Sequence, residues 1–251
     1  MPPAAQIRTM FDRIAPRYDL ANRVISMGVD TVWRRRAIRA SGIADGQSAL
    51  DVCCGTGDMT FALARRTSST VVGADFSPVM LEMADRRHGR KAAGSVDHVR
   101  FVEADAMQLP FDDDSFDVLT VSFGVRNVER IEQAFAEFQR VVRPGGRIVV
   151  MEFTRPRNRF FRGFYGVWFE RIVPVIGGLV TGDREAYTYL PSSVRQFPEP
   201  GGIGSLLEGA GMESVRWRLM GGGIVALHTA LAGSAHGAPG PADGPPPEGS
   251  T

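Results

Sequence analysis

The stretch from Ala49 to Thr60, A-L-D-V-C-C-G-T-G-D-M-T, constrains this chain more than any other. Ala49 to Val52 reads as a short strand. Gly55 and Gly57 turn the chain, and Met59, Phe61, Leu63 and Ala64 open a helical pattern. Strand, glycine turn and helix form the first unit of a doubly wound α/β sheet, and glycine, lacking a Cβ, lets backbone approach a ligand closely. Asp58 follows Gly57 at the helix start, where a dinucleotide would place its pyrophosphate. Two negative groups would then share one spot. A ligand carrying an ammonium group suits the turn better, and S-adenosylmethionine has one. Thr60 stands where a dinucleotide fingerprint has its third glycine, which also argues against a nicotinamide cofactor. A strand-turn-helix that binds nothing shows the same pattern, so the later strands have to decide.

T-V-V-G-A-D-F-S predicts a second strand, Thr70 to Ala74, ending on Asp75. V-R-F-V-E-A-D-A predicts a third, ending at Asp105-Ala106, and F-D-V-L-T-V-S-F a fourth, ending near Ser122. Asp51, Asp75 and Asp105 therefore sit at the ends of successive strands, the side on which an open α/β sheet binds its ligands. Any one of them could cap the following helix, whereas the repeated pattern favours a site. A helix is expected from Asn127 to Val142, with Ile131, Phe135, Phe138 and Val142 at helical spacing and Pro144-Gly145-Gly146 stopping it. R-I-V-V-M-E-F is the fifth strand. After a helix from Ser205 to Ala210, strands Ser214–Leu219 and Ile224–Leu231 join through Gly221-Gly222-Gly223. The predicted fold is α/β: a doubly wound, Rossmann-like sheet, mostly parallel, closed by a C-terminal antiparallel hairpin.

D-V-C-C-G-T-G-D, G-A-D-F-S-P-V-M-L, E-A-D-A-M-Q-L-P-F and R-V-V-R-P-G-G-R resemble the class I S-adenosylmethionine-dependent methyltransferases. F-D-R-I-A-P-R-Y-D-L-A-N-R-V-I-S-M-G, V-S-F-G-V-R-N-V, L-V-T-G-D-R-E-A-Y-T-Y-L-P-S-S-V-R-Q-F-P and V-A-L-H resemble one family among them, the C-methyltransferases of menaquinone and ubiquinone biosynthesis. The cofactor motifs are generic; S-F-G-V-R-N and Y-x-Y-L-x-x-S-V-R are specific. The resemblance implies methyl transfer from S-adenosyl-L-methionine to a reduced prenylated quinone ring: demethylmenaquinol to menaquinol, or the benzoquinol step of ubiquinone biosynthesis. Another small or natural-product aromatic acceptor on the same fold, or a non-catalytic cofactor-binding subunit, are the rival readings. The resemblance further implies cofactor binding by Gly55, Gly57, Thr60, Asp75, Asp105, Ala106 and Ser122. Thr60 would meet the methionine carboxylate, Asp75 the ribose hydroxyls, and Asp105 with Ala106 the adenine. Arg126 and Asn127 become the catalytic candidates: Arg126 to hold a developing phenolate, Asn127 to orient the ring oxygen. The bland alternative makes Asn127 a helix cap and pairs Arg126 with a surface carboxylate. The chain departs from the family pattern at Cys53-Cys54, at Asp30 where histidine is frequent, and in the glycine-rich E-P-G-G-I-G-S-L-L segment.

Around this core, residues 1–232 read as one methyltransferase domain with a helical cap over 7–44 and an insertion over 154–198; 233–251, rich in Gly, Pro and Ala, reads as a disordered tail, and Met1 to Gln6 as unstructured. Ile7 to Arg17 predicts an amphipathic helix broken at Pro16, followed by helical pieces at Val24–Met27 and Val32–Ala40. The cap either packs on the sheet edge or forms a partial lid, with Tyr18 or Asp19 near the methionine end of the cofactor. The insertion is long and apolar, but Arg162, Glu170, Arg171 and Pro174 interrupt it. Each charge would cost about 2.5–3.5 kcal/mol at the bilayer centre, so a membrane span is not expected. It serves instead as an apolar wall for a lipophilic substrate, with peripheral contact at the inner membrane face, or packs as an ordinary core helix. A net charge of +1 gives no field for nucleic acid. The two cysteines, Cys53 and Cys54, are adjacent, so neither a disulfide framework nor a cysteine zinc site is expected, and no metal is. A reducing cytoplasm fits. His88 and His98 read as solvated and His228 as a satisfied strand histidine. Oligomeric state stays open, a homodimer included.

Overall fold

A computed structural model describes residues 3–91, 98–156, 163 and 165–234. The cap comes first: α1 (Ala4–Ile14), a 3-10 turn (Ala15–Arg17), α2 (Tyr18–Ile25) and α3 (Asp30–Ser41). Then follow β1 (Ala49–Val52), α4 (Asp58–Ala64), β2 (Val71–Asp75), α5 (Pro78–Lys91), β3 (Val99–Glu103) and β4 (Phe116–Ser122). A 3-10 turn (Val125–Asn127) leads to α6 (Ile131–Val141) and β5 (Val142–Phe153). A π-helical turn (Trp168–Ile172) runs into α7 (Val173–Thr181), then come α8 (Arg184–Gln196), α9 (Pro200–Gly209), β6 (Met212–Met220) and β7 (Val225–Ala232).

The strands form one sheet in the order β3-β2-β1-β4-β5-β7-β6. β1 to β5 run parallel, and β7 is antiparallel to both β5 and β6. The chain goes outward from β1 through β2 to β3, then returns to place β4 on the other flank of β1. The reversal makes the carboxyl ends of β1 and β4 the crevice of the fold. Both central strands are buried on two faces, as parallel strands between helical layers must be. Alternation along them divides the core. Leu50, Val72, Leu119 and Ile148 face Phe135 and Phe138 of α6 and Leu207 of α9. Ala49, Val71, Val118 and Val149 face Trp33 of α3 and Phe61 and Leu63 of α4. A third cluster ties the cap to the insertion, with Ile14, Ala21 and Ile25 against Val173, Ala186 and Tyr187.

The class and the strand sequence expected from the motifs are present. Several boundaries are not where periodicity put them. The first helix starts at Ala4, inside the segment expected to be unstructured. Pro16 does end it, by way of the 3-10 turn. α6 starts at Ile131, because Val125–Asn127 form a 3-10 turn and Arg130 is extended (φ −127°, ψ 96°). β5 begins at Val142, so Pro144-Gly145-Gly146 lie within a strand and do not stop the helix. The glycine-rich segment after Glu199 is helical: Pro200 opens α9, and Gly204 admits the Trp217 ring, which a Cβ would approach to 2.9 Å. His98 is not simply solvated, since its Nε2 lies 3.1 Å from the Ala64 carbonyl, and His88 stacks on Phe61. His228 is buried with Nε2 2.9 Å from the Pro200 carbonyl, as a satisfied strand histidine should be. Among the described residues no helix is long and apolar enough to cross a membrane. Arg162, His236 and the tail from residue 235 lie outside the described residues.

Candidate functional site

The backbone is forced into unusual conformations where β1 and β4 end. Cys53 and Phe123, the residues after those strands, both take left-handed φ values, 53° and 60°. Non-glycine residues carry strain there, which collects at functional sites. Gly124 makes the pair possible, because a Cβ at that position would overlap the Cys53 side chain.

Two adjoining cavities open at this crevice. The larger, about 310 Å³, is walled by the cap (Tyr18, Asp19, Trp33), by the strand ends (Asp51, Cys53, Arg126) and by the insertion (Trp168, Phe169, Tyr187). The smaller, about 90 Å³, is lined by Gly55, Asp75, Asp105, Ala106, Ser122 and Asn127. Tyr18, Cys53, Gly55 and Ser122 face both, so the cavities share a wall. The cap helices thus stand over the crevice as well as against the sheet.

The residues expected to hold a cofactor separate into two groups. Asp75 ends β2 and is buried; its carboxylate accepts the Gly55 N–H at 2.8 Å and the Ser77 N–H at 2.9 Å, which locks the turns after β1 and β2 together. Burial pushes its carboxyl up. Asp105 lies beyond the end of β3, exposed, with Oδ1 accepting the Met107 N–H at 2.8 Å. Ser122 ends β4, and its Oγ is buried without a partner among the described residues. A polar cavity edge with one buried acid, one exposed acid and an unpartnered hydroxyl suits a nucleoside with its ribose and amino groups.

Thr60 and Gly57 behave differently. Thr60 is fully buried and lines neither cavity; its hydroxyl donates to Asp51 Oδ2 at 2.7 Å. Its expected contact with a methionine carboxylate is therefore corrected: the helix opens on Asp58, and Thr60 points back under the turn to satisfy a buried acid. Gly57 also serves packing, since a Cβ there would come within 3.0 Å of the Phe101 and Phe61 rings. Asp51, inside β1, accepts from Thr60 and from Thr120 Oγ1 at 2.8 Å, and burial pushes its carboxyl up to about 7. Asp58 is met inside the protein, by Arg34 at 2.5 Å and Arg87 at 2.5 Å. Arg87 also holds Asp19 at 2.9 Å and the Thr56 carbonyl, while Thr56 Oγ1 donates to Asp19 at 2.6 Å. This network fastens α2 and α3 of the cap to the first turn.

Arg126 and Asn127 sit in the 3-10 turn after β4. Arg126 is only 5% exposed and does not pair with a surface carboxylate. Its Nη1 donates to Glu152 Oε1 at 2.7 Å and to the Phe123 carbonyl, its backbone N–H meets Glu152 Oε2 at 3.3 Å, and its Nε has no protein partner. Asn127 does not cap α6, whose N-cap is Arg130; its Oδ1 accepts the Tyr189 hydroxyl at 3.2 Å. Sequence reasoning missed Glu152, Arg34, Arg87, Tyr187 and Tyr189 as parts of this region. Glu152 had a signal, a lone carboxylate in an otherwise apolar strand. The two arginines had none, being two of many on arginine-rich helices.

The family model described as the ubiE/COQ5 methyltransferase family matches residues 3–232. The chain is 46% identical over 220 residues to a demethylmenaquinone methyltransferase of Thermus thermophilus, covering 87% of this chain and 98% of that protein. It is 42% identical over 231 residues to the ubiquinone/menaquinone biosynthesis C-methyltransferase UbiE of Azotobacter vinelandii, covering 91% and 90%. Among solved structures it resembles the [4+2]-cyclase SpnF (TM-score 0.69, 18% identity, 93% of this chain and 98% of that one). It also resembles a SAM-dependent methyltransferase from Aquifex aeolicus (TM-score 0.59, 16% identity, 79% and 89%). At these identities the structural likenesses speak for the fold alone.

Proposed function

The chain belongs to the ubiE/COQ5 methyltransferase family, and from that premise we propose that it methylates a ring carbon of a reduced prenylated quinone, demethylmenaquinol foremost, using S-adenosyl-L-methionine. The observation that supports this reading most is the pairing of two cavities at one crevice, a smaller one edged by Asp75, Asp105 and Ser122 and a larger one walled by aromatic side chains. Gly55, Asp75, Asp105, Ala106 and Ser122 would hold the nucleoside of the cofactor, with Asp75 at the ribose and Asp105 at the adenine. When bound, the cofactor would supply an electrophilic methyl on a sulfonium sulfur, which would leave with the electron pair of the broken C–S bond as the ring carbon took the methyl and gave up its proton.

The chain's own residues must position the acceptor, activate it and keep water out. A phenolic hydroxyl has a pKa of about 10, so a nearby cation helps it lose its proton at neutral pH. Two cations stand at the wall of the larger cavity, Arg34 on α3 and Arg126 in the turn after β4, and Arg126 is the one assigned to the acceptor. Arginine stays protonated, so it stabilises the oxyanion and does not act as a base. With its Oδ1 engaged by Tyr189, Asn127 has its amide NH2 for a ring oxygen. Phe123, Phe153, Trp168 and Phe169 give the ring an apolar, water-excluding enclosure. Met27 and Val29 line this cavity and are also exposed, which gives the prenyl tail an apolar way out and supports peripheral contact with a membrane.

The deciding experiment offers radiolabelled methyl donor with reduced and oxidised naphthoquinones, benzoquinones and unrelated phenols. Methylation of the reduced quinones alone is expected, because an oxidised ring is too electron-poor to attack a sulfonium methyl. Equal turnover of oxidised acceptor, or labelling confined to unrelated phenols, would sink the reading.

A further inference from the structure

Glu152 is the second-last residue of β5, 1% exposed, in a strand whose other late members, Val149 to Met151, are apolar. A lone buried carboxylate needs a partner of opposite charge. Arg126, 5% exposed, is that partner, and the pair is joined twice, through the guanidinium at 2.7 Å and through the Arg126 backbone N–H at 3.3 Å. The Phe153 N–H donates to the same carboxylate at 2.8 Å. Glu152 is therefore fixed from two strand-end segments, and it fixes the guanidinium in turn, which lies 5.5 Å from the Phe153 ring centroid. Arg126 lines the larger cavity, and Glu152 is not among its lining residues.

We propose that Glu152 is the positioning residue of the methyl transfer, clamping the Arg126 guanidinium in one orientation and offsetting its charge, so that the ring oxygen meets a directed donor and not a free cation. The proposal rests on the reading of Arg126 given above. Without its counter-charge, a buried arginine would favour the oxyanion more strongly, but without a fixed orientation. Other charged groups line the same cavity, each with a partner: Arg34 pairs with Asp30 and Asp58, and Asp19 with Arg87. Burial raises the pKa of Cys53, Tyr18 and Tyr189, and raises that of Tyr165 to about 12. Asp51 lies further round the same wall, with Thr60 and Thr120 as its partners.

Charge and orientation can be separated with two variants and one probe. The probe is 1-naphthol, whose ionisation on the protein is followed by absorbance without methyl donor. Glu152→Gln keeps the shape and removes the charge. It should lower the apparent pKa of bound naphthol by about one unit, the size of effect one nearby charge exerts, and shift the acidic limb of kcat for the quinol the same way. Glu152→Asp keeps the charge but withdraws it by one methylene. It should leave the naphthol pKa near wild type while lowering kcat about tenfold, with KM little changed. Should Glu152→Gln fail to fold, the double variant Arg126→Gln/Glu152→Gln, which buries no unpaired charge, should raise the naphthol pKa above wild type. A naphthol pKa and a pH limb that stay at wild-type values in Glu152→Gln, or a double variant indistinguishable from wild type, would overturn the proposal. If wild type methylates no reduced quinone while the naphthol shifts appear as described, the substrate reading fails and the clamp stands.

Discussion

At the scale of single residues, the acids at the strand ends have separate tasks despite sharing one sequence pattern. Asp75 orders two turns at once, Asp105 is exposed at the cavity edge, and Asp51, inside β1, lies buried between two threonine hydroxyls at the wall of the larger cavity. Asp51 makes a pH prediction for the ligand-free protein. Its pKa in the folded chain, about 7, lies above the ordinary carboxylate value because of burial. Between the ordinary value and 7 the folded protein keeps a proton that the unfolded chain has released. This group therefore contributes stability at low pH that is lost as pH rises through 7. Urea unfolding at pH 5 and pH 8 should show wild type losing stability over that interval, and Asp51→Asn losing markedly less. Identical pH dependence in the two proteins would mean that Asp51 is ionised in the fold throughout.

At the scale of elements, the wall of the larger cavity depends on how closely α7 and α8 approach. Gly177 on α7 lies directly under the Tyr187 ring of α8, and a Cβ there would overlap the ring. Tyr187 in turn is buried, lines the larger cavity and belongs to the cluster joining cap and insertion. Gly177→Ala should destabilise the protein by about 1–3 kcal/mol, the usual cost of overpacking a filled core. It should also raise KM for the quinol, because the displaced ring has the cavity on its other side. Shrinking the ring in Gly177→Ala/Tyr187→Leu should recover part of the lost stability, so a double-mutant cycle showing strict additivity would argue against this contact. Asp183 starts α8 by accepting the Ala186 N–H at 3.1 Å and also pairs with Arg13 of α1 at 2.8 Å, so the same helix anchors cap and wall together.

At the scale of the whole molecule, exposed apolar side chains occur on the cap and the insertion and also, as Trp217 and Leu219, on the edge strand β6. Leu20 and Met27, at the cap, and Val175 and Leu179, on α7, are 57%, 64%, 47% and 79% exposed. α2 packs against α7, and Met27 both lines the larger cavity and is exposed. Exposed apolar side chains beside a cavity offer a place of contact, and we propose that a lipid surface occupies it. Sedimentation with anionic phospholipid vesicles should carry the wild type down, and Leu179→Glu should reduce the bound fraction about tenfold or more while leaving turnover of a short-chain, water-soluble quinol intact. Equal sedimentation of both proteins would place the membrane contact elsewhere.

The sequence by itself determined the class of fold and the crevice. Local chemistry decides these: alternating or continuous apolar runs, glycines at left-handed turns, and an acid at each strand end are all legible within a few residues. Arg126 and Asn127 were legible as members of a motif, but what they touch was not. Glu152 lies 26 residues from Arg126 and Tyr189 lies 62 from Asn127, so no periodicity links them. Thr60 went astray for the related reason that its hydroxyl turns toward Asp51, a choice fixed by which face of α4 packs on β1. The helix end near Pro144 was decided by where β5 begins to pair with β4, and the helix start near Asn127 by the 3-10 turn over Val125–Asn127. Segments distant in sequence are brought together by the burial of shared apolar surface. Only the tertiary structure therefore gave Arg126 its counter-charge, built the cavity's aromatic wall, and placed the cap over the sheet.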